Sequence, residues 1–258
     1  MTLRLNDDDI VEAAELISRW LAEARSTVAF SGAGISTESG IPDFRSPGGV
    51  WSRHRTVYFD EFCHSAEARY EYWQQKAEAH RDFAAAVPNI THQTLAAWES
   101  AQKLRGIVTQ NIDGLHQQAG SRNVLELHGT ARRIACLDCA WQEAADSWVQ
   151  RFLAEDRVPD CPDCGGRLKH ATVSFGQSLP ADVLQAAARW AREADLFLTL
   201  GSSLVVEPAA SLPRIAKQSG AHLVILNRDE TPLDSIADLV VNAPLGAVFQ
   251  AISNLCQD

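Results

Sequence analysis

A short apolar run passes directly into a glycine-containing loop within residues 27–45, which read TVAFSGAGISTESGIPDFR. The β-branched and aromatic residues of 27–30 predict a strand. Gly32 and Gly34 let the following backbone come close to a ligand, and backbone N–H groups after a strand suit a phosphate. The spacing differs from the G-x-G-x-x-G dinucleotide fingerprint, so a plain strand-turn connection stays open. The charged pair that flanks Phe44, in Pro42-Asp43-Phe44-Arg45, favours a functional loop.

Composition and charge exclude several classes of protein. The chain has 258 residues, 46% of them apolar and 22% charged, which is typical of a globular protein with one large domain or a domain with an insertion. No apolar run approaches the roughly 18 residues that span a bilayer, and the acidic residues 1–9 lack a signal pattern. We therefore expect a cytoplasmic protein with no membrane partner. The net charge of −10 argues against direct nucleic-acid binding and is compatible with a basic peptide.

Apolar strands alternate with helical patterns along the rest of the chain. Strands are predicted at 27–30, 106–109, 124–129, 196–200, 222–226 and 239–241. Helices are predicted at 7–24, from near residue 37, twice within 58–87, and at 91–102, 182–193, 208–219 and 246–255. Strands that are apolar on both faces indicate an α/β fold, a Rossmann-like parallel sheet with helices on both faces.

Polar residues follow several of these strands at their carboxyl ends. In open α/β sheets that edge binds ligands. We therefore expect one crevice to be lined by residues 31–36, 110–113, His128, 201–203 and 227–229.

Four of the six cysteines form two C-x-x-C pairs, Cys136 with Cys139 and Cys161 with Cys164, which are 21 residues apart. Two such pairs can place four thiolates around Zn²⁺, and a closed site of four cysteines holds structure together without doing chemistry. Four unrelated buried thiols and a redox pair are the alternatives. Cys63 and Cys256 are interpreted as ordinary thiols.

His128 is the best candidate for a general base, because it ends a strand opposite the glycine loop and imidazole titrates near neutral pH. A surface or structural role is the alternative, and His116 is placed to orient the loop around Asp113. Asn111 and Asp113 alternate around Ile112 and suit a ribose or a carboxamide, or else form an Asx-turn. Asn227 suits an adenosine ribose, or else caps a helix.

Together these motifs resemble the sirtuin family of NAD-dependent protein lysine deacylases. The matching segments occur in the family's order from residue 30 to about 245, as in compact prokaryotic members. They are GAGISTESGIPDFR at 32–45, TQNIDGLH at 109–116, ELHG at 126–129, the two cysteine pairs, GSS at 201–203, and Asn227.

The resemblance implies a Rossmann-like NAD-binding domain of residues 1–47, 91–130 and 173–258. A small domain of residues 48–90 and 131–172 would combine a helical insert with a zinc-ribbon insert that holds its metal with four cysteines. The implied activity transfers an acyl group, most fittingly acetyl, from a lysine of a protein or peptide to ADP-ribose and releases nicotinamide. The implied cofactors are NAD and zinc.

The resemblance also implies a role for individual residues. The catalytic residues would be His128 and Asn111. The acyl-lysine peptide would lie along Val173, Phe175 and Gly176. The NAD-binding residues would be Gly32, Ala33, Gly34, Thr37, Asp43, Phe44, Arg45, Gln110, Asn111, Ile112, Asp113, Gly201, Ser202, Ser203, Asn227 and Leu245.

Two segments depart from the family's pattern. Where the family has a proline and Phe-Gly-Glu, residues 169–177 read KHATVSFGQ, so His170 and Gln177 leave the peptide preference open. Members that remove acidic acyl groups carry Tyr-x-x-Arg, and that register holds Trp73 and Lys76 here. Lysine lacks the fixed fork of arginine, which favours neutral acyl groups.

Three other readings compete with the deacylase. One is a non-catalytic NAD sensor, which the intact His128 counts against. ADP-ribosyl transfer or plain NAD hydrolysis would use the same cleft. A zinc-ribbon module for nucleic acid belongs to a different class, and the acidic charge counts against it.

Overall fold

A computed structural model describes residues 2–43 and 55–255 of the chain. The described strands are β1 Leu3–Asn6, β2 Thr27–Ser31, β3 Gly106–Thr109, β4 Val124–Glu126, β5 Gly129–Cys136, β6 Gln142–Ala144, β7 Leu168–Thr172, β8 Leu196–Leu200, β9 His222–Leu226 and β10 Leu239–Asn242. The described helices are α1 Ile10–Glu23, α2 Phe59–His64, α3 Ala66–Ala85, α4 Ile90–Ser100, α5 Leu115–Gln118, α6 Ala145–Glu155, α7 Ala181–Glu193, α8 Leu212–Gln218 and α9 Leu245–Leu255. None of these helices is long and apolar enough to cross a membrane.

Seven strands form one parallel sheet in the order β1-β10-β9-β8-β2-β3-β4. Alternate side chains of β2 enter different cores, since Ala29 packs with α1, α4 and α9, whereas Val28 and Phe30 pack with α7 and α8. Helices therefore cover both faces of the sheet, as the apolar strands predict. The α/β fold class is confirmed.

A second sheet of three antiparallel strands has the order β6-β5-β7 and carries the cysteine pairs. Its core is shared with the helical segment: Phe62 of α2 and Trp73 of α3 pack with Ile134, Leu168 and Phe152. Because each insert buries apolar side chains of the other, the two sequence-distant segments form one hydrophobic core.

The chain crosses from the large sheet to the small one at residues 126–129. Leu127 still donates its N–H to the Thr109 carbonyl in the large sheet, at 2.9 Å. The carbonyl of His128 accepts the N–H of Val173, at 2.8 Å. Gly129 turns the chain with a left-handed φ of 68°, and a Cβ there would collide with the carbonyl of Ala171. The single strand predicted at 124–129 is therefore wrong, because His128 sits where two sheets meet.

Other differences are local. Instead of a helix beginning near Thr37, a 3-10 helix spans Ala33–Ser39 and ends at Gly40, whose φ is 86°. The two short helices predicted within 58–87 are one helix of six residues, α2, and one of 20, α3. The sequence analysis missed β1, whose partner β10 lies more than 230 residues away, and it placed neither the strands β5–β7 nor the helix α6 of the cysteine-bearing segment.

Candidate active site

The carboxyl ends of the central strands lie side by side, and their loops are joined by backbone hydrogen bonds. Gln110 donates its N–H to the Ser31 carbonyl at 2.9 Å, which connects the ends of β3 and β2. Gly32 donates to Leu200 at 3.0 Å, and Gly201 donates to Leu226 at 2.9 Å. The segments that follow β2, β3, β8 and β9 therefore converge at one edge of the sheet, as predicted.

Gly34 brings the glycine loop against the loop that follows β8. Its N–H donates to the carbonyl of Gly201 at 2.8 Å. A Cβ on Gly34 would lie 2.8 Å from both Cα and O of Gly201, closer than real Cβ contacts. The missing side chain therefore lets two loops touch, a reason for glycine that the sequence pattern does not reveal.

A buried polar network supports the loop from below. The Ser31 hydroxyl contacts Thr109 Oγ1 and His116 Nε2, each at 2.8 Å. Thr109 Oγ1 also accepts the N–H of Asn111 at 3.0 Å. The first turn after β3 is thus held by side chains from β2 and α5, and His116 acts on the loop through Ser31.

Asn111 and Asp113 are tied together by a third residue, Ser36. The Asn111 amide donates to the Gly32 carbonyl at 3.1 Å and to Ser36 Oγ at 3.2 Å, and Ser36 Oγ donates to Asp113 Oδ2 at 2.7 Å. Asp113 Oδ1 accepts the N–H of Leu115, which is the Asx-turn alternative. Asn111 Oδ1 has no hydrogen-bond partner among the described residues.

His128 is half-buried, and one of its ring nitrogens is fixed. Nδ1 lies 2.7 Å from the Gln110 carbonyl, which can only accept, so Nδ1 carries the proton and Nε2 keeps its lone pair. Burial lowers the pKa of His128, and the bond to Gln110 opposes that shift only in part. The side chain of Gln110 accepts a bond from Ser202 Oγ at 2.7 Å. A neutral imidazole with a defined tautomer suits a general base.

Two further histidines lie deep behind this site. The rings of His92 and His116 are 4.9 Å apart. Burial lowers the pKa of His92 to about 4 and that of His116 to about 3. Both imidazoles are therefore neutral at pH 7 and serve the framework of the loop.

The outer part of the predicted cofactor site lies farther along the same edge. Thr37 Oγ1 donates to the Gly34 carbonyl at 3.0 Å, and Asn227 donates to the Asp229 carbonyl at 2.8 Å. Leu245 is buried at the start of α9, where Glu38 accepts the N–H of Gly246 at 2.9 Å. Four further residues predicted to bind the cofactor are half-buried: Ala33, Asp43, Ile112 and Ser203. Phe44 and Arg45 lie outside the described residues.

The predicted substrate residues extend from the end of β7. Val173 is bonded to the backbone of His128, and Phe175 leaves 45% of its surface exposed. The Phe175 carbonyl accepts the N–H of Phe59 at 2.9 Å, and its ring lies 6.3 Å from that of Tyr58. Gly176 follows with a φ of 84°. An exposed aromatic pair, Tyr58 and Phe175, therefore lies at the segment that leads away from His128 after β7.

The four cysteines form one cluster with the dimensions of a zinc site. Their Sγ atoms all lie within 4.8 Å of one another, with Cys136 to Cys164 at 3.6 Å and Cys139 to Cys161 at 3.7 Å. A tetrahedral Zn²⁺ with about 2.3 Å bonds separates its sulfurs by about 3.8 Å. The donor set and spacing fit zinc. Asp138, between the two cysteines of the first pair, forms an ion pair at 2.6 Å with Arg167, which follows the second pair, and so connects the two cysteine loops.

Of the two positions that carry Tyr and Arg in members that remove acidic acyl groups, the first is occupied here by a core residue, Trp73. Trp73 is fully buried, and its indole N–H donates to the Leu168 carbonyl at 3.0 Å. The ammonium of Lys76 lies 5.5 Å from the centre of the Tyr72 ring, and burial lowers the pKa of Lys76 to about 8.

Several site residues were given no individual role in the sequence analysis, although Ser36 falls within the crevice segment predicted at 31–36. Ser36 and Thr109 complete the network around Asn111, and Glu38 connects the loop to α9. Ser36 and Thr109 lie inside quoted motifs, which was a usable signal. The contact between Glu38 and Gly246 gives none, because the two residues are 208 positions apart.

Comparisons with known proteins agree with this geometry. The model of the Sir2 family matches residues 32–208. An NAD-dependent protein deacetylase 1 of Bradyrhizobium diazoefficiens is 46% identical over 246 residues, which cover 95% of this chain and 96% of that protein. A solved structure of Sir2 with a p53 peptide and NAD+ has a TM-score of 0.86 at 38% identity and covers 94% of this chain and 98% of that one. A Sir2 variant with deacetylated p53 peptide and 3′-O-acetyl-ADP-ribose has a TM-score of 0.87 at 38% identity, covering 93% and 97%.

Proposed function

Because this chain belongs to the Sir2 family, we propose that it is an NAD-dependent protein lysine deacylase whose preferred substrate is acetyl-lysine. The observation that carries the proposal is the placement of His128. Its neutral imidazole lies at the junction of the two sheets, beside the loops that follow β2, β3 and β8 on one side and the segment 173–176 that follows β7 on the other. A base at that junction reaches both a nucleotide and a peptide.

The chemistry of the site fits NAD. Gly32 precedes the 3-10 helix Ala33–Ser39, and Ala33, Gly34 and Thr37 lie within it. The pyrophosphate would lie against this glycine loop, where the missing side chains let the backbone come close to it. Asn111 Oδ1 is left to accept a hydrogen bond from the nicotinamide half, and Gln110, Ile112 and Asp113 complete that side. The adenosine half would lie along Gly201, Ser202, Ser203, Asn227 and Leu245. Asp43, Phe44 and Arg45 are the remaining residues that we propose for cofactor binding.

When bound, NAD supplies the ADP-ribose that takes the acyl group as nicotinamide leaves. His128 Nε2 accepts a proton from a ribose hydroxyl, and the bond from Nδ1 to the Gln110 carbonyl stabilises the imidazolium that forms. Asn111 orients the ribose through its fixed amide.

The peptide partner would bind along the segment 173–176, which follows β7. An extended acyl-lysine peptide would pair with the backbone of Val173, Phe175 and Gly176, a mode that needs no particular side chain. The exposed rings of Tyr58 and Phe175 would contact its flanking residues. His170 is fully buried, so it does not select the peptide by contact.

The zinc cluster would be structural. Four thiolates close the coordination sphere and leave no position for substrate. We place the protein in the cytoplasm, where reduced thiols persist. The division into a Rossmann-like domain of residues 1–47, 91–130 and 173–258 and a small domain of 48–90 and 131–172 is part of the same proposal.

The variant His128→Ala tests the function. Deacetylation of an acetyl-lysine peptide should fall at least about 1,000-fold, within the range that general-base loss costs. The dissociation constant for NAD should stay within about twofold, because the imidazole contacts the backbone of Gln110 and not the 3-10 helix. His64→Ala, at an exposed histidine of α2, is the matched control. Full activity in His128→Ala would remove that residue from the mechanism, and nicotinamide release with intact peptide would favour ADP-ribosyl transfer or NAD hydrolysis.

A further inference from the structure

Lys169 lies on β7 of the small sheet, and its side chain is buried. Its side chain is 2% exposed, and it forms no ion pair with a carboxylate of the described residues. Burying an unpaired ammonium is costly, and an apolar residue of the same length would fill the space at less cost. The Tyr72 ring lies 5.7 Å from the ammonium and offsets only part of that penalty.

The ammonium bonds to the backbone at the end of its own strand. Lys169 Nζ donates to the carbonyl of His170 at 3.1 Å and, in a shorter bond, to the carbonyl of Thr172. The peptide group that joins Thr172 to Val173 is thereby held at both ends. Its carbonyl is bonded to Lys169, and its N–H is bonded to the carbonyl of His128 at 2.8 Å.

The strand pairing alone leaves this end of β7 under-determined. β7 is an edge strand, and its register with β5 shifts between Gly129 and Ile134. At the same place Gly129 passes so close to Ala171 that any side chain would collide. A bulged edge has fewer ladder bonds to fix its position, so a side chain that bonds two carbonyls there determines where the strand ends.

The same bonds survive a change of charge. Burial and the nearby Lys76 lower the pKa of Lys169 to about 7. The neutral amine still carries two N–H donors, one for each carbonyl. Arginine also supplies enough N–H donors for both carbonyls, whereas methionine matches the length of lysine and supplies none.

We propose that Lys169 is a positioning residue that holds the Thr172–Val173 peptide group, and through it the catalytic His128 and the substrate segment 173–176, in the reactive arrangement. The inference rests on the proposed function for its catalytic consequence. The structural part, a backbone held by a buried amine, stands apart from that function and has its own readout.

The test compares Lys169→Met, Lys169→Arg and Val149→Ala. Val149 is a buried residue of α6 in the same core, remote in sequence from the strand end, and its truncation matches the loss of stability. For Lys169→Met we expect kcat/KM for the acetyl-peptide to fall about tenfold or more, the effect of about 1.4 kcal/mol, with the dissociation constant for NAD changed less than about twofold. Lys169→Arg should recover most of the activity, and Val149→Ala should keep it.

Amide hydrogen exchange supplies the readout that does not depend on activity. The Val173 amide should exchange at least about tenfold faster in Lys169→Met than in the wild type or in Val149→Ala. If the wild type lacks deacetylase activity while Val173 responds in this way, the proposed function fails and the positioning role stands. Equal kinetics and equal Val173 exchange in Lys169→Met and Val149→Ala would overturn the proposal.

If Lys169→Met does not fold, the wild type decides. Slow exchange of the Lys169 ammonium protons together with a protected Val173 amide would support the proposal. Rapid exchange of those side-chain protons would overturn it.

Discussion

Removing the hydroxyl of Ser31 should destabilise the floor of the cofactor site. Ser31 has no exposed surface, and its Oγ lies 2.8 Å from both Thr109 Oγ1 and His116 Nε2. In Ser31→Ala, Thr109 Oγ1 still accepts the N–H of Asn111. His116 is left with both ring nitrogens unpaired, because its Nδ1 has no partner even in the wild type among the described residues. A buried polar group without a partner costs about 1–3 kcal/mol, so we expect a loss of about 2 kcal/mol in unfolding free energy.

Thr199→Val is the matched control on the neighbouring strand. Thr199 lies in β8, in register with Phe30 of β2, and is equally buried. Its hydroxyl has no hydrogen-bond partner in the part of the chain that the structure describes. Replacing that hydroxyl with a methyl group should leave the unfolding free energy within about 0.5 kcal/mol or raise it.

Thermal unfolding of the zinc-loaded protein measures both variants. At this chain length 1 kcal/mol shifts Tm by about 2–4 °C, so Ser31→Ala should melt about 4–8 °C lower. Its dissociation constant for NAD should rise about fivefold, the effect of about 1 kcal/mol. Thr109, which holds the N–H of Asn111, loses the hydrogen bond that Ser31 donates to it and so positions Asn111 less firmly. An unchanged Tm in Ser31→Ala, or an equal loss in Thr199→Val, would refute the reasoning.

Three further predictions address the loop, the metal and the pH dependence. Gly34→Ala should lower unfolding free energy by about 1–3 kcal/mol and weaken NAD binding, as measured by melting and calorimetry, since its Cβ would meet Gly201 at 2.8 Å. Chelation of zinc should disorder the small sheet before the large one, which fluorescence of the packed Trp141–Trp148 pair reports; loss of both sheets together would contradict it. Folding lowers the pKa values of His92 and His116 to about 4 and 3. The stability that these neutral imidazoles contribute is therefore complete above pH 6.5 and is lost as pH falls. Urea titration should show that the unfolding free energy decreases by about 2 kcal/mol from pH 7 to 5.5, and a flat profile would contradict this.

The large sheet was predictable because its central strands are apolar on both faces. Residues 196–200 and 222–226 need no partner information to be recognised as buried strands, and helical periodicity places the covering helices. β1 was missed because LRLN at residues 3–6 has only two apolar residues in four, too short a run to establish a period. Its pairing depends on β10, which lies far away in the sequence.

The convergence of the loops was predictable for a similar reason. Polar tips at the carboxyl ends of parallel strands must share an edge, whatever the details of the loops. The partners within that edge were not predictable. Ser36 between Asn111 and Asp113, and Glu38 against Gly246, depend on distances that only the packed fold sets.

The cysteine cluster was fully predictable from sequence patterns, whereas the role of Lys169 was not predictable at all. Two C-x-x-C pairs restrict their own geometry, so four sulfurs within 4.8 Å follow from spacing and loop chemistry. No pattern in residues 169–176, KHATVSFG, predicts that the side chain of Lys169 is buried. Lys169 is buried because the helices pack over the sheet, and its bonds serve a strand end that exists only through a shifted register.

The product balance of the wild-type protein tests the central claim most directly. Mass spectrometry would follow NAD with acetyl-, longer acyl-, lactyl- and succinyl-lysine peptides. We expect one nicotinamide and one acyl-ADP-ribose for each peptide deacylated, with neutral acyl groups ahead of succinyl. Nicotinamide released while every peptide keeps its acyl group would contradict the deacylase.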